Sequence, residues 1–164
     1  MRLALLCIAL LSCSTLSVGP PAYPVWPYVT STCTVASLEK KFQVEMAAQG
    51  ILITEMVHAK LVDKLHACDK DPLAIGCTSY EGGTKIELLR SFWDRVDCGW
   101  REALVFHEHG HADLLLGHQS DALMDPFVEG GYACLLRNRN KCLEQMASAY
   151  KIMLLFRYAP IHIL

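Results

Sequence analysis

The sequence predicts an α+β fold: a small domain with a short sheet and hairpin, a central helix and a C-terminal helix. Three observations carry that expectation. Helical apolar periodicity returns three times along the chain, two β-like runs flank a Gly-Gly pair, and a turn-rich segment separates the last two helices.

Taken in order, residues 37–49 form the first predicted helix. Leu38, Phe42, Val44 and Met46 give a mixed but usable face, and Gly50 is a good stop. Ile51-Leu52-Ile53 is a short apolar stretch after it. Residues 56–65 fit two readings. Val57, Ala59 and Leu61 alternate as in a strand, while Val57, Leu61 and Leu65 are spaced as in a helix. Residues 75–81 and 84–89 are β-like runs around Gly82-Gly83, a hairpin signal because primed turns need positive φ. Phe92 and Trp93 follow as core anchors, and Trp100 is read the same way. Residues 100–116 form the strongest predicted helix, with Gly117 as its left-handed stop. A last helix is predicted over 141–157, where Leu143, Met146, Ala147, Tyr150 and Leu154 make a core-facing stripe. The tail, 152–164, is apolar but broken by Arg157 and Pro160, so it is not read as a membrane span.

Length and charge narrow the function classes. The 164 residues suit one domain plus a leader. Net charge is −2, from 15 basic and 17 acidic residues without a basic stripe, which argues against a nucleic-acid partner. Nothing calls for more than a monomer. Residues 1–18 read as a signal peptide: Arg2 is a minimal basic start and 3–11 an apolar run too short to span a bilayer. Two cleavage sites compete. Leu10-Leu11-Ser12-Cys13 resembles a bacterial lipoprotein box that would leave Cys13 lipidated and the chain membrane-attached. The other lies near Gly19, where the following Pro20 is unfavourable. Residues 19–32 are a Pro-rich tether, with Tyr23, Trp26 and Tyr28 able to dock on the domain at 33–164. Export to a bacterial cell envelope, or secretion, follows.

The cysteines agree with export. Either cleavage leaves six: Cys33, Cys68, Cys77, Cys98, Cys134 and Cys142. An even set in a small exported domain suggests up to three disulfides. Fifteen connectivities are open. Short loops make Cys68–Cys77 and Cys134–Cys142 attractive and leave Cys33 with Cys98. No C-x-x-C pair supports a cysteine metal site.

The chemistry concentrates in 107–126. His107 and His111 are four apart, so on a helix they share a face and can reach one zinc ion. Glu108, adjacent to the first, can take a proton from a zinc-activated water as catalytic base. A catalytic site of this kind needs a third protein ligand. His118 is the preferred one, next to the flexible Gly117; Glu129, Asp121 and Asp125 are weaker candidates. His109 points away from the pair and is read as surface or supporting, and His58, His66 and His162 lack metal-like spacing. Asp113 could orient a ligand by a hydrogen bond. Tyr132, eight residues past Met124, could stabilise an oxyanion.

The segment His107-Glu108-His109-Gly110-His111 with Ala122-Leu123-Met124-Asp125-Pro126 resembles the metzincin metallopeptidases. Their motif is H-E-x-x-H-x-x-G-x-x-H followed by a methionine turn. The upstream hairpin, Phe92-Trp93 and Leu104-Val105-Phe106 also resemble small bacterial metallopeptidases of this type, in which the third His follows at the wider spacing seen here. The resemblance implies one catalytic zinc, an apolar floor at Met124, and endopeptidase rather than exopeptidase action on protein or peptide substrates. Two positions depart from the motif: Leu114 stands at the family's Gly and Gly117 at its third His, with His118 one residue later. The rival expectations are a non-catalytic zinc-binding envelope lipoprotein and a disulfide-stapled binding module. The retained Glu108 argues against the first, because a structural site has no use for a base.

Overall fold

A computed structural model describes residues 33–68, 71–119 and 122–158. The leader, Cys13, the Pro-rich tether, Asp121 and His162 lie outside the described residues. The order is α1 (Val35–Ala48), β1 (Ala59–Val62), β2 (Gly76–Ser79), β3 (Lys85–Leu89), α2 (Arg90–Trp93), α3 (Cys98–Ala112) and α4 (Val128–Tyr158). The mixed α+β expectation stands.

Helix α1 begins two residues before the periodicity suggested, because Thr34 caps it. The Thr34 hydroxyl accepts from the Ser37 amide, and the Ser37 hydroxyl accepts from the Thr34 amide. Gly50 follows at φ +78, the left-handed turn expected of it. Leu38, Phe42 and Met46 are buried.

The ambiguous stretch at 56–65 resolves as strand β1. It pairs parallel with β3, Ala59 opposite Ile86 and Val62 opposite Leu89. Strands β2 and β3 form the expected antiparallel hairpin, with Gly82 and Gly83 both at positive φ in its turn. The sheet order is β1-β3-β2, so β2 is an edge strand.

Helix α3 is the centre of the domain and is buried almost all round. Asp97 caps it by accepting from the Gly99 and Trp100 amides, so the helix starts at Cys98, two residues before the predicted start. Phe42 of α1 meets Phe106 edge-on, centroids 5.1 Å apart. Ile86, Leu88, Phe92, Leu104, Val105, Leu143 and Met146 complete the core around it.

Helix α4 starts at Val128, well before the predicted 141. It contains a break at Asn138, φ −162 and ψ 86. The Asn138 side chain accepts from the Lys141 amide, so a fresh helical segment starts where sequence periodicity placed it. Leu143, Met146 and Ala147 of the stripe are buried. Beside the break, Arg139 forks onto Glu45 of α1 at 2.6 and 2.7 Å and onto Glu102 of α3. That network fastens three helices together.

All six candidate cysteines are paired: Cys33–Cys98, Cys68–Cys77 and Cys134–Cys142. Three disulfides point to an oxidising, exported environment. Among the described residues no helix is long and apolar enough to cross a membrane.

Candidate metal centre

The last two turns of α3 and the loop after it gather three imidazoles. The Nε2 atoms of His107 and His111 are 3.0 Å apart, and those of His111 and His118 are 3.1 Å apart. All three ligand atoms lie within 4.8 Å of one another. A tetrahedral ion with 2.0–2.1 Å bonds to nitrogen separates its ligands by roughly 3.3 Å. These three side chains could hold a metal ion.

Hydrogen bonds settle which nitrogen of each ring is free to bind an ion. His107 Nδ1 lies 3.0 Å from the Leu123 carbonyl and His111 Nδ1 lies 2.7 Å from the Leu116 carbonyl. A carbonyl only accepts, so in both rings Nδ1 carries the hydrogen and Nε2 presents a lone pair. Burial pushes His107 down to about 4, and burial also lowers His111. Both rings are therefore neutral near pH 7. Two neutral rings with Nε2 lone pairs facing each other have no hydrogen between them, and a cation is what such a pair suits.

Chain reversal after His111 brings in His118, but not through Gly117. Helix α3 ends at Ala112, four residues short of the predicted helix end at 116, and Gly117 is not among the positive-φ residues. Leu115 takes the left-handed conformation instead, at φ 55. Its amide closes onto the His111 carbonyl at 3.1 Å, and the Leu116 amide reaches Gly110. The reason lies in the His111 ring. Its Nδ1 needs the Leu116 carbonyl, so the chain must turn before residue 116. A leucine in that region costs about 1–2 kcal/mol relative to its relaxed backbone.

The segment around Met124 underlies the cluster. The Leu123 carbonyl fixes His107, and the Met124 carbonyl accepts from the Gln119 amide just past His118. Met124 is 1 % exposed, and its sulfur occupies the space a Cβ on Gly110 would need. Gly110 is thus set by the methionine beneath it.

Glu108 points to the other neighbour of α3, strand β2. Gly76 and Thr78 of that strand, and Tyr80 just past its end, follow one another at two-residue spacing and meet Glu108, Glu108 and His111 respectively. The Thr78 hydroxyl donates to Glu108 Oε2 at 2.7 Å. A Cβ at Gly76 would lie 2.5 Å from Glu108 Oε1, so glycine there makes room for the carboxylate. Burial pushes Glu108 up to about 7, against the Thr78 hydrogen bond and the charge of His109. The Tyr80 hydroxyl donates to the His111 carbonyl at 2.8 Å. Partial burial, then the negative charge of Glu108, raises its proton affinity. Gly76, Thr78 and Tyr80 were missed in the sequence; the signal was the two-residue alternation of the run at 75–81.

Several expected roles fall elsewhere. His109 is not a surface group but fully buried, stacked on Phe42. Its Nδ1 meets Asp113 Oδ2 at 2.5 Å, and its Nε2 lies 3.7 Å from Glu39 Oε1, a charge contact longer than a hydrogen bond. Burial works against its charge, but the two carboxylates outweigh that and raise its pKa. Asp113 therefore serves His109 and not a metal ligand; its other oxygen accepts from the Val57 amide at 3.0 Å. Burial would raise Glu39, yet the positive charge of His109 and hydrogen bonds from the Ala59 amide and His58 hold it at about 2. Tyr132 stacks on Trp100, centroids 4.4 Å apart, against Gly99. That is the opposite end of α3, roughly 12 Å along the axis from His107, because eight residues rise 1.5 Å each. Asp125 and Glu129 are not in the histidine cluster, though the charge of Asp125 reaches His107. His58 and His66 pair with Glu39 and Glu87 near the surface.

Comparison with protein-family models, with curated proteins and with solved structures returned no match for this chain.

Proposed function

We propose that the chain is an exported zinc metallopeptidase of metzincin-like type, with His107, His111 and His118 as ligands and Glu108 as base. One observation carries this reading: three imidazole nitrogens converge at the end of α3, and the same stretch of helix carries a buried carboxylate, Glu108, whose proton affinity burial raises to about 7. A site built only to hold a metal has no need of that carboxylate. A zinc ion in such a site supplies Lewis acidity, polarising a carbonyl and acidifying water.

The chain's own residues do the rest. Glu108 Oε1 takes the proton of the attacking water and returns it to the leaving amine, a task that suits a carboxylate with proton affinity near the working pH. Thr78 holds Oε2 and fixes the direction of the carboxylate. Leu123 and Leu116 hold the rings of His107 and His111 by their Nδ1 hydrogens. Three protein ligands with a fourth position for water or substrate is the arrangement such a catalytic site uses. Strand β2 has no strand partner on its outer side among the described residues. A substrate in extended conformation can add to such an edge beside Glu108, which favours cleavage within a peptide over trimming at its end. The same reading takes a bacterial envelope location, with Cys13 as the lipid attachment point, from the leader.

The test is metal analysis of the purified chain together with cleavage of an unstructured protein such as casein. One zinc per chain and hydrolysis that vanishes in Glu108→Gln, with zinc retained, is the expected result. Stoichiometric zinc with no hydrolysis of any substrate would overturn the reading in favour of a non-catalytic zinc-binding lipoprotein. A protein stable to chelators and free of metal would favour a disulfide-stapled binding module.

A further inference from the structure

Helix α4 is bent where its sequence would let it run straight. Residues 132–158 contain neither glycine nor proline, yet the helix breaks at Asn138. The break lies between Cys134 and Cys142, whose Cα atoms are 6.0 Å apart across their disulfide. In an unbroken helix eight residues rise about 12 Å, and a disulfide spans no more than about 7 Å between Cα atoms. The bond and a continuous helix therefore exclude each other. Asn138 caps the second segment, but a cap satisfies one amide without bringing the two cysteines together.

The two halves of α4 serve different parts of the histidine cluster. Past the break, Arg139 is held by Glu45 and Glu102. Met146 Cε lies 3.1 Å from where a Cβ on Gly110 would stand, between His109 and His111. That half is fixed to the helix that carries the first two histidines. The half before the break packs on the segment 123–125. A Cβ on Gly131 would lie 3.2 Å from the Leu123 carbonyl oxygen, and the Asp125 side chain fills the space beside Gly130. The same Leu123 carbonyl accepts from His107 Nδ1. The angle at Asn138 thus decides whether that carbonyl reaches the ring. His111 differs: its carbonyl partner, Leu116, comes from the loop directly after α3.

We propose that the Cys134–Cys142 disulfide is a positioning lever for the metal centre: by bending α4 it seats the Leu123 carbonyl on His107, and the three-histidine cluster is complete only once this bond has formed. Formation is thiol–disulfide exchange, in which the two thiols give two protons and two electrons to an incoming disulfide that leaves as two thiols. A chain kept reduced carries an incomplete site, and entry into an oxidising compartment completes it. The proposal rests on reading the three histidines as metal ligands and is independent of peptide hydrolysis.

Imidazole nitrogen NMR on the full chain without metal, at neutral pH, tests the lever. In the oxidised chain His107 and His111 should each show one tautomer, with the hydrogen on Nδ1. The double variant Cys134→Ser, Cys142→Ser should turn His107 into a mixture of tautomers and leave His111 as it was. Its zinc affinity should fall by on the order of 10–100-fold, the loss expected when a ligand's orienting partner goes. The double variant Cys33→Ser, Cys98→Ser opens a longer loop, with a sequence separation of 65, and so removes more chain constraint. It should nonetheless leave both rings unchanged. Gly131→Val keeps all three disulfides and crowds the Leu123 carbonyl, so it should reproduce the change at His107. An unchanged His107 in the Cys134, Cys142 variant or in Gly131→Val overturns the lever. An equal change at His107 in the Cys33, Cys98 variant does the same. So does tautomer mixing at both rings in the Cys134, Cys142 variant, because the bond would then hold the fold as a whole. The two readings fail separately. A His107 that follows the disulfide in a chain that binds no zinc sinks the metal reading and leaves the lever. Tight zinc binding indifferent to the disulfide sinks the lever and leaves the metal reading.

Discussion

Within five residues, α3 carries three histidines in two opposite electrostatic settings. His107 and His111 have only backbone carbonyls at Nδ1, no carboxylate bonded to either ring, and proton affinities lowered first by burial. His109, on the other side of the same turn, sits between Asp113 and Glu39 with its proton affinity raised. Burial is common to all three and cannot explain the difference. The second-partner chemistry does: a carbonyl fixes a tautomer and leaves a lone pair, whereas a carboxylate on each side fixes a cation. One face of the helix thereby offers neutral imidazoles that could hold a metal ion, and the other sets a histidine against two carboxylates.

The contrast makes His109 the larger contributor to folding. His109→Ala would take the His109 partner from buried Asp113 and Glu39 and leave them the Val57 amide, the Ala59 amide and His58, and breaking a buried pair from one side costs up to about 3–5 kcal/mol. Chemical denaturation should register that loss, while metal content stays at one ion per chain. A variant as stable as the original would remove the triad from this account. His111→Ala should behave the other way. It removes one of the three candidate ligands, so on the proposed reading metal affinity should fall by on the order of 10²–10³-fold, about 3–4 kcal/mol, with a smaller change in metal-free stability.

Glu108 sharpens the comparison through pH. Its folded pKa, about 7, lies above the ordinary 4.5. A raised pKa means the folded state favours the protonated carboxyl. The stability linked to it is complete below pH 4.5 and is lost as pH rises through about 7. The 2.5-unit difference corresponds to about 3 kcal/mol. Metal-free protein should therefore lose stability between pH 4.5 and 7, and Glu108→Gln should flatten that part of the profile. An unchanged slope in the variant would assign the pH dependence to other groups. The smallest effect belongs to Thr78→Val. Losing its hydrogen bond to the ionised carboxylate should raise the Glu108 pKa further, by about one unit. The acidic limb of the hydrolysis profile should move to higher pH accordingly; a limb that stays in place would show that Thr78 does not act on Glu108.

What the sequence revealed was local. The first helix was legible because Leu38, Phe42 and Met46 repeat at helical spacing and Gly50 closes them. Gly82-Gly83 announced the hairpin because the turn needs two positive φ values. His107, Glu108 and His111 were legible because four residues make nearly one helical turn. The rest depended on contacts between distant segments. Nothing near residue 59 signals that β1 will lie parallel to β3. Spacing alone kept His109 off the side of the other two histidines, but nothing near it in the chain signals that Glu39, 70 positions earlier, joins Asp113 in raising its proton affinity. Tyr132 looked near the methionine segment in sequence, yet α4 carries it to the far end of α3. Leu115 took the turn assigned to Gly117 because a ring nitrogen needed the following carbonyl, a demand that composition does not express.

The fit of Met124 against Gly110 has an evolutionary consequence. The two positions share a single volume, so neither is free to vary alone. Any descendant of this sequence that acquires even an alanine at 110 must shrink the residue at 124 or shift the segment that carries it. Shifting that segment would drag the Leu123 carbonyl off His107 and the Met124 carbonyl off Gln119. Substitutions at 110 and 124 should therefore travel in pairs, and a library randomised at both should recover small–large and large–small combinations while losing large–large ones.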